Sequence, residues 1–155
     1  MLPKVLQTFG YALVGLLAVG AGIGLPLQAA VNVQLRQAIG SPVRASLASF
    51  VVGTALLLAL SVASRESWPA AATLARTPWW IWTGGLLGAF FIFSTIVVVP
   101  RLGAAFAFAL IVAGQMTASI AIDQFGLFGV QPTPASPGRL AGAALLVCAV
   151  VLIRK

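Results

Sequence analysis

The 155-residue chain has no histidine, a single cysteine, Cys148, and only two carboxylates, Glu66 and Asp123. Each scarcity removes a class of chemistry. Zinc and most transition-metal sites are built from Cys and His ligands, so no metal site is expected. One cysteine cannot make a disulfide framework, and Cys148 stands between Val147 and Ala149, where a free thiol behaves as a small hydrophobe. Two acids, no imidazole and an apolar-segment thiol supply no set of nucleophile, base and orienter, so neither an enzyme nor a cofactor is expected. Charge itself is scarce: 7% of residues, against about 25% in soluble domains.

What is present is hydrophobic. The chain is 61% apolar with a mean hydropathy of +1.09, which points to an integral membrane protein. The net charge of +7 does not point to nucleic acid, because the nine Lys and Arg stand between apolar runs and form no basic stripe with stacking aromatics. A bilayer core of roughly 30 Å takes about 20 apolar helical residues. By that measure the sequence is all-α, an integral membrane bundle of five transmembrane helices near 9–31, 45–63, 79–99, 102–122 and 137–153, in one domain over 1–155. The first apolar stretch exceeds the roughly 7–15 residues of a signal-peptide core, which predicts a retained helix. Gly40-Ser41-Pro42 separates the first two helices, and residues 64–78 form the longest charged connector. Trp68, Trp79, Trp80 and Trp82 suit headgroup depth. Pro100-Arg101-Leu102-Gly103 predicts a tight reversal, and Ser136-Pro137 predicts an N-cap followed by proline at the first helical position. Arg139 and Lys155 can snorkel outward from the short fifth helix.

Five spans place the termini on opposite sides. The N-terminal side then holds four basic residues, Lys4, Arg65, Arg76 and Arg139, and the other side five, Arg36, Arg44, Arg101, Arg154 and Lys155. Basic residues set orientation, and a bias of one residue sets it weakly. Insertion both ways up, and hence an antiparallel homodimer with its two-fold axis in the membrane plane, is one expectation. A single orientation with the five-residue side cytoplasmic is the other. The dimer would assemble from two chains the inverted-repeat architecture that many transporters carry in one.

Polar residues interrupt the apolar spans in order. Gly20, Gly24, Gln28, Asn32 and Arg36 follow at spacing four along the first helix, a face that turns from small to polar. Pro26 lacks the donor that would meet the Gly22 carbonyl, so a kink is expected nearby. Gln28 and Asn32 are either interhelical hydrogen-bond glue worth about 1 kcal/mol each or the lining of a solute path. The fourth helix carries Gln115, Ser119 and Asp123 at the same spacing. A buried Asp123 would favour its protonated form and could carry a proton, whereas at the interface it stays ionised and caps backbone or pairs with an arginine. Gly126 follows closely and reads as a helix end, which favours the interfacial reading. Glu66, beside Arg65, reads as a solvated connector residue. Small residues recur at spacing four elsewhere, at Ala45, Ser49 and Gly53, at Gly84 and Gly88, and at Gly138 and Gly142, and read first as packing seams. Phe90, Phe91, Phe93, Phe106 and Phe108 either wall a cavity for an apolar or cationic ligand or meet lipid.

Taken together, the stretches GIGLPLQAAVNVQL, GSPVRASLASFVVG, PWWIWTGGLLGAFFI, VVVPRLGAA, AGQMTASIAIDQFGLFG and RLAGAALLV resemble the small five-helix inner-membrane proteins of the YdcZ family, in the drug/metabolite transporter superfamily. The resemblance covers nearly the whole chain. It implies a bacterial inner-membrane, multi-pass transporter or exporter, with relatives that occur as dual-topology single chains, oppositely oriented pairs and fused two-domain proteins. The family is also similar to small multidrug-resistance transporters, whose coupling acid lies in the first helix. This chain has amides there instead, so that coupling route does not carry over.

The resulting expectation is a transporter of a small organic solute or hydrophobic cation, working as an antiparallel homodimer, or as a heterodimer with a homologue, by alternating access. Gln28, Asn32, Gln115 and Ser119 are the candidate solute-binding residues. Asp123 and Arg36 are candidate ion-coupling or gate residues near the mouths of the path. Gly20, Gly24, Ser49, Gly53, Gly84 and Gly88 are candidate packing positions. A non-transporting membrane subunit packed on a different partner is the rival expectation.

Overall fold

The computed structural model describes residues 4–154, and the side chains of residues 10–154. Lys155 and the side chain of Lys4, both counted in the charge balance, lie outside the described residues. Among the latter the chain is all-helical, without strands. Its elements are α1 (Lys4–Ile39), α2 (Pro42–Ala63), a short α3 (Ala71–Arg76), a 3-10 turn (Trp79–Thr83), α4 (Gly84–Leu102), α5 (Ala104–Phe125), a second 3-10 turn (Leu127–Gly129) and α6 (Pro137–Ile153). Among the described residues four helical stretches are long and apolar enough to cross a membrane: Gly10–Ile39, Pro42–Ala63, Trp79–Leu102 and Ala104–Phe125. The apolar helix Pro137–Ile153 is shorter.

The helix ends correct several sequence expectations, for local reasons. The first helix continues to Ile39 rather than stopping near residue 31, because Asn32, Gln34 and Arg36 end an apolar run without ending a helix. Gly40 ends it, at φ +77°, with its N–H donating to the Arg36 carbonyl at 2.8 Å. The helix continues past Pro26, which lies inside it. The second helix starts three residues earlier than expected, at Pro42, because Ser41 caps it by accepting from the Arg44 N–H. The third apolar stretch opens as a 3-10 turn through the tryptophans, and the connector before it holds the unanticipated α3.

The break expected over Pro100-Arg101-Leu102-Gly103 is tight and belongs to its last residue, not to Pro100. Pro100 lies inside the last turn of α4, and the break falls at Gly103, at φ +78°. The following helix extends past Asp123 to Phe125, ending at Gly126 in the left-handed region. The Ser136 cap and Pro137 start of α6 follow the sequence signal directly.

The chain divides into two compact units, Met1–Val97 and Val98–Lys155. In the first, α1 packs on α2; in the second, α5 packs on α6. Among the described residues the fully buried apolar ones are few and mostly small: Ala29, Ala45, Ile96 and Ala107. Small side chains let helix backbones approach, as expected where lipid offers no hydrophobic drive to associate. Large apolar side chains point outward instead, Leu17 at 74% and Leu86 at 71% exposure among them. In water that surface would aggregate; against acyl chains it is solvated.

Candidate functional site

The α1–α2 pair buries a polar side chain inside an apolar span. Ala29 and Asn32, three residues apart on α1, are both buried, and Asn32 is only 4% exposed. Asn32 lines a groove of about 530 Å³ with Leu27, Gln28, Val31, Ser49 and Val52. Its amide nitrogen, Nδ2, is buried and has no hydrogen-bond partner among the described residues. A buried donor left unmatched costs about 1–3 kcal/mol, so this amide is poised to gain from any acceptor that enters. Gln28, one turn earlier, lines the same groove from an exposed position, and Ser49 contributes a half-buried hydroxyl from α2.

Arg36 occupies a different setting. Its Nη1 donates to the Ile96 carbonyl on α4 at 3.1 Å, across 60 residues of sequence. That carbonyl is the one that Pro100, four residues on and lacking an N–H, cannot satisfy. Arg36 therefore replaces the missing helix donor and braces α1 against α4. Among the described residues the only fully buried large side chain is that of Ile96 itself.

In the second unit, Asp123 and Arg139 face each other at 3.1 Å between Oδ2 and Nη1, the pair being about one-third and two-fifths exposed. The same Arg139 nitrogen donates to the Thr133 carbonyl at 3.4 Å. Two further bonds tie the intervening loop to the end of α5: Thr133 N–H to the Asp123 carbonyl at 2.8 Å, and Ala135 N–H to Gln124 Oε1 at 2.7 Å. Sequence reasoning missed Gln124 and the partnership of Arg139 with Asp123. The available signal was topological, because a short loop between packed helices brings the last turn of one beside the first turn of the next. Ser119, Asp123 and Arg139 line a groove of about 280 Å³ with Met116 and Leu146. Gln115 is exposed on α5 and is not among the residues lining this groove.

The glycine positions divide sharply. A Cβ placed on Gly88 would lie 3.4 Å from Phe50 Cζ, so α2 and α4 meet there. At Gly20, Gly24, Gly53 and Gly84 a Cβ would meet nothing within 4 Å among the described residues. Phe50, Phe90 and Phe93 wall an apolar groove of about 380 Å³, with Phe90 itself 70% exposed. No three His, Cys, Asp or Glu side chains converge on a metal-sized site among the described residues.

Helices of spanning length, apolar outward faces and isolated polar side chains in the grooves between them define a polytopic α-helical membrane protein. Its family is more specific: the one described as "Putative inner membrane exporter, YdcZ" matches residues 13–152, and the chain belongs to it. The inner membrane protein YdcZ of Escherichia coli (strain K12) is 31% identical over 137 residues, covering 88% of this chain and 91% of that protein. No solved structure matches.

Proposed function

We propose that the chain exports a small organic solute across the bacterial inner membrane by alternating access, as an antiparallel dimer. Each copy contributes one domain of five spans over residues 1–155, with its termini on opposite sides. The fifth span is α6, whose 17 residues reach about 25 Å. Basic residues near its ends, Arg139 and Arg154, suit a helix slightly shorter than the hydrocarbon core. Solute contacts are assigned to Gln28, Asn32, Gln115 and Ser119, which come from two polar faces, one in each unit. Arg36 and Asp123 act at the mouths of the path, Arg36 through its brace on α4 and Asp123 through its pair with Arg139.

The observation that carries the reading is the buried, unmatched amide of Asn32 in an apolar groove. Polar groups at such a position in a membrane helix commonly mark a solute path. The near-even charge balance supports the antiparallel arrangement, because it gives neither orientation a strong advantage.

Two measurements test the proposal. Tags on each terminus, assayed for accessibility from the cytoplasm, are expected to show both orientations; one exclusive orientation would sink the antiparallel dimer. Purified protein in proteoliposomes is expected to give solute-dependent flux that Asn32→Leu abolishes. Absence of flux over a broad solute panel, with folded dimer verified, would favour a non-transporting subunit.

A further inference from the structure

The α1–α2 groove has a chemical sign as well as a size. Both helices that wall it are free of carboxylates: the described side chains of α1 include one charge, Arg36, and α2 includes one, Arg44. The first acid in the chain is Glu66, beyond the end of α2. Leu27, Val31 and Val52 make the groove apolar, and the buried group awaiting a partner is a donor, Asn32 Nδ2. Arg36 lies four residues further along α1, about 6 Å along the helix axis from Asn32. The groove's volume of about 530 Å³ falls in the range of small-ligand sites, roughly 300–1,000 Å³.

We infer that this groove selects an apolar solute ending in a hydrogen-bond acceptor, a carboxylate or a carboxamide carbonyl, and rejects cations of the same shape. The inference rests on the exporter reading and supplies its solute class. An entering acceptor satisfies Asn32 Nδ2 while its apolar body covers the leucine and valine walls. A carboxylate gains further from the positive field of Arg36, since charge-assisted bonds are the stronger kind. An entering cation would surrender its hydration in an apolar groove whose helices offer no counter-charge. Arg36, one helical turn away and outside the groove's lining, adds a positive field that opposes it. The hydrophobic-cation class, open on sequence grounds, is thereby disfavoured at this groove.

The test uses three probes that share a phenylalkyl body: 4-phenylbutyrate, 4-phenylbutyramide and (3-phenylpropyl)trimethylammonium. Binding is measured by calorimetry on the full chain in lipid nanodiscs, with empty nanodiscs subtracted to remove partitioning into lipid. The wild-type protein is expected to bind the carboxylate and the amide at least tenfold more tightly than the cation. Asn32→Leu, branched at Cγ like asparagine and without donors, is expected to weaken both acceptor probes about tenfold and leave the cation unchanged. Wild-type preference for the cation would overturn the inference, and that ranking needs no variant to fold. Unchanged acceptor affinities in a folded Asn32→Leu protein would overturn it too, including the case where the variant shifts only the monomer–dimer distribution and the amide's partner is a second copy. Flux of the same probes in proteoliposomes separates the two levels. Acceptor-selective binding without flux removes the export reading and keeps the groove's ligand class; flux of the cation, with cation-selective binding, does the reverse.

Discussion

The bond between Arg36 and Ile96 makes a sharp prediction, because its strength depends on a proline that neither residue touches in sequence. Pro100 withholds the N–H that a regular helix would send to the Ile96 carbonyl, and Arg36 Nη1 supplies a donor at 3.1 Å instead. A hydrogen bond to a charged group contributes about 1.5–3 kcal/mol, and the half-buried setting of Arg36 argues for the lower part of that range. Arg36→Met keeps an unbranched apolar stem while removing the guanidinium, so it is expected to destabilise the protein by about 1.5 kcal/mol. In a Pro100→Ala background the backbone N–H of residue 100 can reach the Ile96 carbonyl, and the same Arg36→Met change is expected to cost less than about 0.5 kcal/mol. The coupling, about 1 kcal/mol, is read from a double-mutant cycle of unfolding titrations in mixed detergent micelles. Equal costs in the two backgrounds would refute the account of Arg36 as a replacement donor and return it to the role of a free gate residue.

Other expectations rest on equally local geometry. Gly126→Ala puts a Cβ on a backbone at φ +60° and 2.8 Å from Pro132 Cγ, so a loss of about 1–2 kcal/mol from conformation alone is expected, with the steric part added. Adding Pro132→Ala should recover only the steric part, as thermal unfolding of the two variants would show. Gly20→Ala and Gly24→Ala meet no atom within 4 Å among the described residues and improve helix propensity by up to about 1 kcal/mol each. Their stability is expected to be unchanged or raised, and a marked loss would mean that this face packs closely on something, a second copy being the natural case. Asp123→Asn should cost under about 1 kcal/mol, since the pair with Arg139 is partly exposed. Gln124→Leu removes the acceptor of the Ala135 N–H and should increase protease cleavage in the 126–136 loop more than Asp123→Asn does.

The legible part of the sequence was whatever rested on local chemistry. Ser136-Pro137 named a helix start, because a hydroxyl cap and a donorless first residue act within one turn, whereas the same cap at Ser41-Pro42 lies three residues ahead of the apolar run that marked the second helix. Gly126 named a helix end, because the left-handed conformation is nearly strain-free only without a side chain. Hydropathy located the spanning stretches but misplaced their ends by several residues, since apolar length reports what meets lipid and helix length reports where the backbone ladder stops. Pro100 misled for a related reason. Its effect on the backbone was repaired by a side chain 64 positions earlier, and no local pattern announces such a repair.

The two spacing-four faces show why the candidate site was only partly legible. Four residues turn a helix by about 400°, so each step drifts about 40° around the axis. Over the four steps from Gly20 to Arg36 the face swings through about 160°, nearly to the opposite side of α1. The structure follows that drift: Gly20, Gly24 and Gln28 are exposed, Asn32 is buried, and Arg36 is half-buried against α4. A spacing-four series in a continuous helix therefore crosses a packing seam instead of lining it, and a single member sits at the crossing. On α5 the same drift separates exposed Gln115 from Asp123, which reaches Arg139. If the crossing point rather than the series is what binds solute, Asn32→Leu should reduce flux far more than Gln28→Leu, although sequence spacing ranks the two alike. Equal losses would instead favour a continuous polar path along the whole face.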